Sequence, residues 1–94
     1  MNIGRAIVEL RKEKGMNQYE LASRADISQS YLSQIENNKK VPSTELIKKL
    51  SQKLGQPKAA VLLYALDVTD VAPEKASAFK ALNPLLKELL KSAQ

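Results

Sequence analysis

Helix-start signals recur so closely along this chain that no helix in its first half has room to be long. Asn17, Ser28 and Ser43 are residue types whose side-chain oxygen accepts from a backbone N–H at the start of a helix. Around Asn17 the signal is reinforced, because Glu20 stands where it can reach back to the cap and Met16 where it can pack on Leu21. Ile27 and Leu32 occupy the same staple positions around Ser28.

The stop signals are equally regular. Gly15 ends a first helix striped by Ile3, Ile7 and Leu10, and Ala25-Asp26-Ile27-Ser28 breaks the second after about eight residues. The third opens at Gln29 and runs to about Asn37, where Asn37-Asn38 tolerates a left-handed backbone. Val41-Pro42-Ser43 separates it from a fourth helix striped by Leu46, Ile47, Leu50 and Leu54 and closed by Gly55. Pro57 suits the first position of a fifth, with Val61, Leu62 and Leu66 as its buried side. After the connector Asp67 to Ala72, Pro73 opens a further helix to about Leu82, which Asn83-Pro84 kinks or restarts. No period-two strand pattern and no solenoid-length repeat occurs. The expectation is an all-α chain: a five-helix bundle over residues 1–66 and a helical extension over 67–94.

Composition narrows the chemistry. A chain of 94 residues makes one small core, and with 4% aromatic residues that core is aliphatic. The absence of Cys and His removes the usual zinc ligands, the thiol nucleophile and the commonest general base. Three scattered glycines form no phosphate loop. These features argue against an enzyme and imply no metal and no cofactor. Neither a secretory leader nor a membrane-length apolar run is present, so a cytoplasmic protein with no membrane partner is expected. The charge is uneven: residues 1–66 hold 11 Lys+Arg against 6 Asp+Glu, net +5, whereas residues 67–94 hold 4 of each. A basic domain followed by a neutral segment suits a nucleic-acid binder with a packing or partner-binding tail, and equally a lysine-biased solvated surface.

Two short helices separated by a tight turn, over about residues 17–37, match the helix-turn-helix spacing. Leu21, Ala25, Ile27, Leu32 and Ile35 supply the packing positions, and Ala22 is small where two helices cross steeply. On the third helix, Gln29, Ser30, Ser33, Gln34 and Asn37 fall within an arc of about 140°, opposite Tyr31, Leu32 and Ile35. An ordinary solvated face carries Lys and Glu, which are better helix formers. Amides and hydroxyls suit base edges instead, and Gln offers the donor and acceptor that adenine needs. Gln29, Ser30, Ser33 and Gln34 are therefore the candidate base contacts.

Residues 3 to about 66 resemble the lambda-repressor-like, Cro-type (XRE) helix-turn-helix family. The resemblance is carried by Arg11, by Asn17-Gln18-x-Glu20-Leu21-Ala22, by the run Ile27 to Asn37, and by Pro42-Ser43. It implies that the helix beginning at Gln29 enters the major groove of double-stranded DNA, and that Gln18, Ser28, Asn37, Lys39 and Lys40 meet phosphates. It also implies that Arg11 pairs with Glu36 as a structural brace. Asp26 and Asn38 stand where the family usually has Gly; both types tolerate positive φ, although an acid at residue 26 lowers attraction if it faces a phosphate. A sequence-specific transcriptional regulator, probing operators from the cytoplasm and bacterial nucleoid, is the function so implied.

One such domain reads few base pairs, so a homodimer on paired half-sites is expected. Leu62, Leu63, Leu66, Phe79, Leu82, Leu86 and Leu89 are the candidate interface, since an apolar stripe this long needs a cover. The same stripe can pack on the fifth helix of its own chain or on another protein. An antitoxin whose tail holds a toxin, and an adapter that no longer binds DNA, are the alternative functions. No small-molecule effector is evident.

Overall fold

The caps form where the sequence puts them. The computed structural model describes residues 1–92, and these hold six α-helices and no strand. They are α1 (Ile3–Glu13), α2 (Gln18–Arg24), α3 (Gln29–Glu36), α4 (Thr44–Lys53), α5 (Lys58–Ala65) and α6 (Ala76–Ser92). Single 3-10 turns at Val68–Asp70 and Pro73–Lys75 connect α5 to α6. Asn17 Oδ1 accepts from Glu20 N at 2.7 Å, Ser28 Oγ from Tyr31 N at 3.0 Å and Ser43 Oγ from Leu46 N at 3.1 Å. The expected return bond from Glu20 is not made among the described residues: its carboxylate accepts from Arg24 at 2.8 Å, one helical turn on. Gly15 and Gly55 close α1 and α4 with φ of 70° and 68°.

The core joins α1, α2, α3, α4 and α5. Ile7, Leu10, Leu21, Leu32, Ile35, Leu50, Leu54, Val61 and Tyr64 are buried within it, and Ala6, Ala22, Ala25 and Ala65 fill the close crossings. Three expectations need correction. Pro57 is the N-cap of α5 rather than its first residue. The buried side of α5 is Ala60, Val61, Tyr64 and Ala65, leaving Leu66 half-buried and Leu62 exposed. A helix apolar on nearly every side gives periodicity nothing to choose between, and Tyr64 takes the inward place. Finally, α6 neither opens at Pro73 nor restarts at Pro84, because Pro73–Lys75 is a 3-10 turn and the helix runs unbroken through Pro84. An interior proline removes one ladder bond, and the docking of α6 on α5 holds the helix across it, with Asn83 buried at the contact.

Two joints position the rest. Gly4 brings α1 against the end of α3 so closely that a Cβ there would lie 2.5 Å from the Glu36 carbonyl oxygen and 2.7 Å from that of Ile35. The start of the chain is also tied to the end of α5. Asn2 N donates to Ala65 O at 2.7 Å, and Arg5 donates to the carbonyls of Tyr64 and Leu66 and pairs with Asp67. The Met1 ammonium lies 2.7 Å from Asp70, a hydrogen bond that raises the ammonium pKa and lowers that of the carboxyl.

Tyr64 is fully buried, and its hydroxyl donates to Glu13 at 2.9 Å. Burial, and then the bond to Glu13, push its pKa above the ordinary value of 10.0. Lys87 of α6 stands 4.8 Å over its ring, so this side chain ties α1, α5 and α6 together.

Two outcomes follow. Gly4→Ala should lower stability by about 1–3 kcal/mol, the usual range for overpacking a tight contact, measured by urea unfolding. Because the Tyr64 pKa is raised in the folded state, its contribution is fully present below the ordinary phenol value and is lost as pH rises through the folded one. An alkaline absorbance titration should therefore show a phenolate forming above the ordinary range, and Tyr64→Phe should remove it; an unchanged titration curve contradicts the assignment.

Candidate nucleic-acid interface

The helix α3 carries two unlike faces because its cap fixes where it begins. Starting at Ser28 puts Leu32 and Ile35 into the core, with Tyr31 half-buried beside them. The opposite face then presents Gln29 and Ser30 to solvent, with Ser33 and Gln34 half-buried farther along. No Arg or Lys lies between Ile27 and Asn37. The four candidate base contacts thus share one uncharged, hydrogen-bonding surface.

The turn before α3 keeps its tight geometry without glycine. Asp26 has a φ of 57°, its N–H donates to Ser23 O at 3.2 Å, and Ile27 N closes on Ala22 O at 3.0 Å. After α3 it is Asn38, at a φ of 59°, that turns the chain, while Asn37 stays outside the left-handed region at −93°. Lys39 N and Lys40 N then both donate to Gln34 O, at 2.8 and 3.2 Å. The loop folds back over the end of the helix, and both lysines are exposed with no ion-pair partner among the described residues. Asn37 Nδ2 donates to Ser33 O at 2.9 Å, which commits part of its amide within the helix.

Arg11 and Glu36 meet as a two-pronged pair. Nε donates to Oε2 at 2.8 Å and Nη2 to Oε1 at 3.0 Å, while Nη1 donates to the Met16 carbonyl at 3.1 Å. Their side chains are only 12% and 5% exposed. Such a fork fixes orientation as well as distance. It links the last turn of α1, the entry to α2 and the end of α3.

Gln18 extends this link. Its Nε2 donates to Glu36 Oε1 at 3.0 Å, and its Oε1 accepts from Gln29 Nε2 at 3.4 Å. Sequence reasoning gave Gln18 a phosphate and gave Gln29 a base, and missed that the two side chains touch each other. Both belong to one polar chain running Arg11, Glu36, Gln18, Gln29. No local signal reports such a chain, because its members are brought together only when α2 and α3 cross.

Removing one member of a nearly buried ion pair leaves the other unpaired. Glu36→Gln should therefore cost on the order of 3 kcal/mol, and Arg11→Met combined with Glu36→Gln should cost clearly less than the two single changes summed. Additive losses in urea unfolding would show that the pair is not coupled.

Comparison with known proteins agrees with this geometry. The helix-turn-helix family model matches residues 7–59, which span α1 to the start of α5. The immunity repressor protein of Bacillus phage phi105 is 34% identical over 62 residues, which are 66% of this chain and 43% of that protein. The HTH-type transcriptional regulator SinR of Bacillus subtilis (strain 168) is 46% identical over 50 residues, 52% of this chain and 45% of that one. This chain thus spans less than half the length of either relative. The crystal structure of the clp gene regulator ClgR from Corynebacterium glutamicum superposes with a TM-score of 0.67 at 29% identity, covering 99% of this chain and 90% of that one. With more than half its residues matched by the family model, and with a braced pair of short helices at their centre, this chain belongs to the XRE-type, lambda-repressor-like helix-turn-helix family.

Proposed function

We propose that this protein is a sequence-specific transcriptional regulator that binds duplex DNA as a homodimer, with α3 entering the major groove at each half of a two-fold operator. The observation that carries the reading is the outward face of α3: amides and hydroxyls without charge, rigidly backed by the core and bordered by the exposed Lys39 and Lys40. Neutral groups of this kind discriminate among base edges, and the flanking lysines attract phosphate whatever the sequence. Gln29, Ser30, Ser33 and Gln34 read bases. Gln18, Ser28, Asn37, Lys39 and Lys40 meet the backbone, with Gln18 keeping an amide hydrogen for a phosphate beside its bond to Glu36. A DNA regulator of this kind works in the cytoplasm, at the nucleoid.

Several features of α6 support the dimer. Lys87 pairs with Glu9 at 3.5 Å and Lys91 with Glu13 at 3.8 Å, and Asn83 reaches Leu63 O at 3.5 Å, so one side of the helix is docked on its own chain. Phe79 and Leu90 of α6 and Leu63 of α5 are half-buried. Leu82, Leu85, Leu86 and Leu89 remain between 45% and 66% exposed, and Leu62 of α5 is exposed too. Leu86 and Leu89 border the docked side, lining one cleft with Ala59, Ala60, Leu63 and Leu90, and Leu82 and Leu85 extend the exposed apolar surface open to a second copy. A second copy placed there gives two reading helices whose separation must match half-sites about 34 Å apart.

Selection of bound sequences from random duplexes should return a two-fold symmetric site; recovery of no enriched sequence contradicts the reading. On that site, Gln29→Ala should reduce discrimination by ~1–3 kcal/mol with the salt dependence unchanged. Lys39→Ala should weaken operator and random DNA alike and reduce the salt slope by about one.

A further inference from the structure

The side chain of Asn38 does more than permit a left-handed turn. Its Oδ1 accepts from Gly4 N at 3.1 Å, and its Nδ2 donates to Asn2 Oδ1 at 2.8 Å. Asn2 Oδ1 is also the cap of α1, accepting from Arg5 N at 2.9 Å. The amide of Asn38 therefore closes onto the first turn of α1 through both of its ends. Gly4 makes the approach possible, since a Cβ at that position would stand 2.8 Å from Asn38 Oδ1.

What this bridge holds is the segment that follows. Lys39 and Lys40 come directly after Asn38, and their side chains project from the loop into solvent. Within α3 the loop is anchored on the last turn, where the Ile35 carbonyl accepts from Asn38 N at 3.0 Å and the Gln34 carbonyl receives the N–H groups of both lysines. The amide of Asn38 supplies a second anchor on a different helix. The N-terminal segment it grips is itself fixed, because Asn2 N donates to Ala65 O at 2.7 Å. A loop held from two sides keeps its lysines in one place before DNA arrives, and binding then costs less ordering entropy.

We propose that Asn38 is a positioning residue for DNA binding, one that touches no DNA and sets where Lys39 and Lys40 meet the phosphate backbone. The proposal rests on the reading of Lys39 and Lys40 as phosphate contacts. It differs from a role in folding alone in one respect: the contribution of Asn38 to affinity passes through the two lysines and disappears with them.

Asn38→Gly is the appropriate variant, because glycine retains the positive φ and loses only the two side-chain bonds. Binding to a random-sequence duplex is measured by fluorescence anisotropy for four full-length proteins: the unaltered chain, Asn38→Gly, the pair Lys39→Ala with Lys40→Ala, and all three changes together. Thermal unfolding of each, followed by circular dichroism, sets a temperature at which all four are folded. Asn38→Gly should weaken binding about three- to tenfold, the scale of one or two hydrogen bonds, and should have no further effect once both lysines are alanine. Amide hydrogen exchange should show faster exchange at Gly4, Lys39 and Lys40 in Asn38→Gly. Binding by Asn38→Gly as tight as that of the unaltered chain overturns the proposal, as does an equal loss with and without the lysines. Failure of the unaltered chain to bind duplex DNA removes the proposed function and this inference with it. Tight binding that the two lysine changes leave intact removes the phosphate assignment alone, and with it the role of Asn38.

Discussion

Glu36 stands at the last turn of α3 with both carboxylate oxygens engaged, and the placement of α3 depends on it. Arg11 grips it from α1 with two nitrogens and uses the third on the Met16 carbonyl. Gln18 shares one of the same oxygens from the start of α2. Three helices are thereby fixed around a group that is nearly withdrawn from water. A buried charge pair is poor evidence for stability, since its desolvation offsets most of its attraction. Its value here is directional. Apolar packing by Leu32 and Ile35 holds α3 against the core without fixing its rotation or its sliding, whereas a planar fork on a carboxylate tolerates neither. Gly4 adds a hard stop at the same end, backbone against backbone.

What could be read from the sequence follows the range of the forces. Caps at Asn17, Ser28 and Ser43 are legible because each is settled within four residues. The left-handed turns at Gly15, Asp26, Asn38 and Gly55 are legible for the same reason. The face of α5 was not, because Ala59 to Leu66 offers apolar or small side chains in every direction and only the neighbouring helices choose among them. The continuity of α6 through Pro84 was hidden too, since a local breaker was outweighed by tertiary docking at Asn83 and Leu90. At the candidate site, the residue types on α3 showed from their spacing. The contacts of Gln18 with Glu36 and Gln29, and of Asn38 with Asn2 and Gly4, join residues 11 to 36 positions apart. No periodicity encodes contacts at that separation.

The charge asymmetry of the chain gains a location from the structure. Of the basic residues in the first 66, Arg5, Arg11 and Arg24 are occupied by Asp67, Glu36 and Glu20. Arg5 and Arg11 join separate elements, whereas Arg24 pairs at the surface within α2. Lysines carry the surplus, and Lys39 and Lys40 carry it at the exit of α3. In the neutral tail, Lys87 and Lys91 are spent on Glu9 and Glu13, which lash α6 to α1. Charge near α6 thus secures the helix along its flank and leaves its apolar side uncommitted.

The two faces of α3 divide labour in a way that bears on how such a protein changes over generations. Leu32 and Ile35 cannot vary without cost to the core, and Glu36 cannot vary without releasing Arg11 and Gln18. Ser30 is exposed, and Gln29, exposed as well, is tied by its side chain to Gln18. Mutations at those exposed positions leave the scaffold intact, so the surface turned outward can drift through many side-chain combinations while the fold that displays it is inherited unchanged.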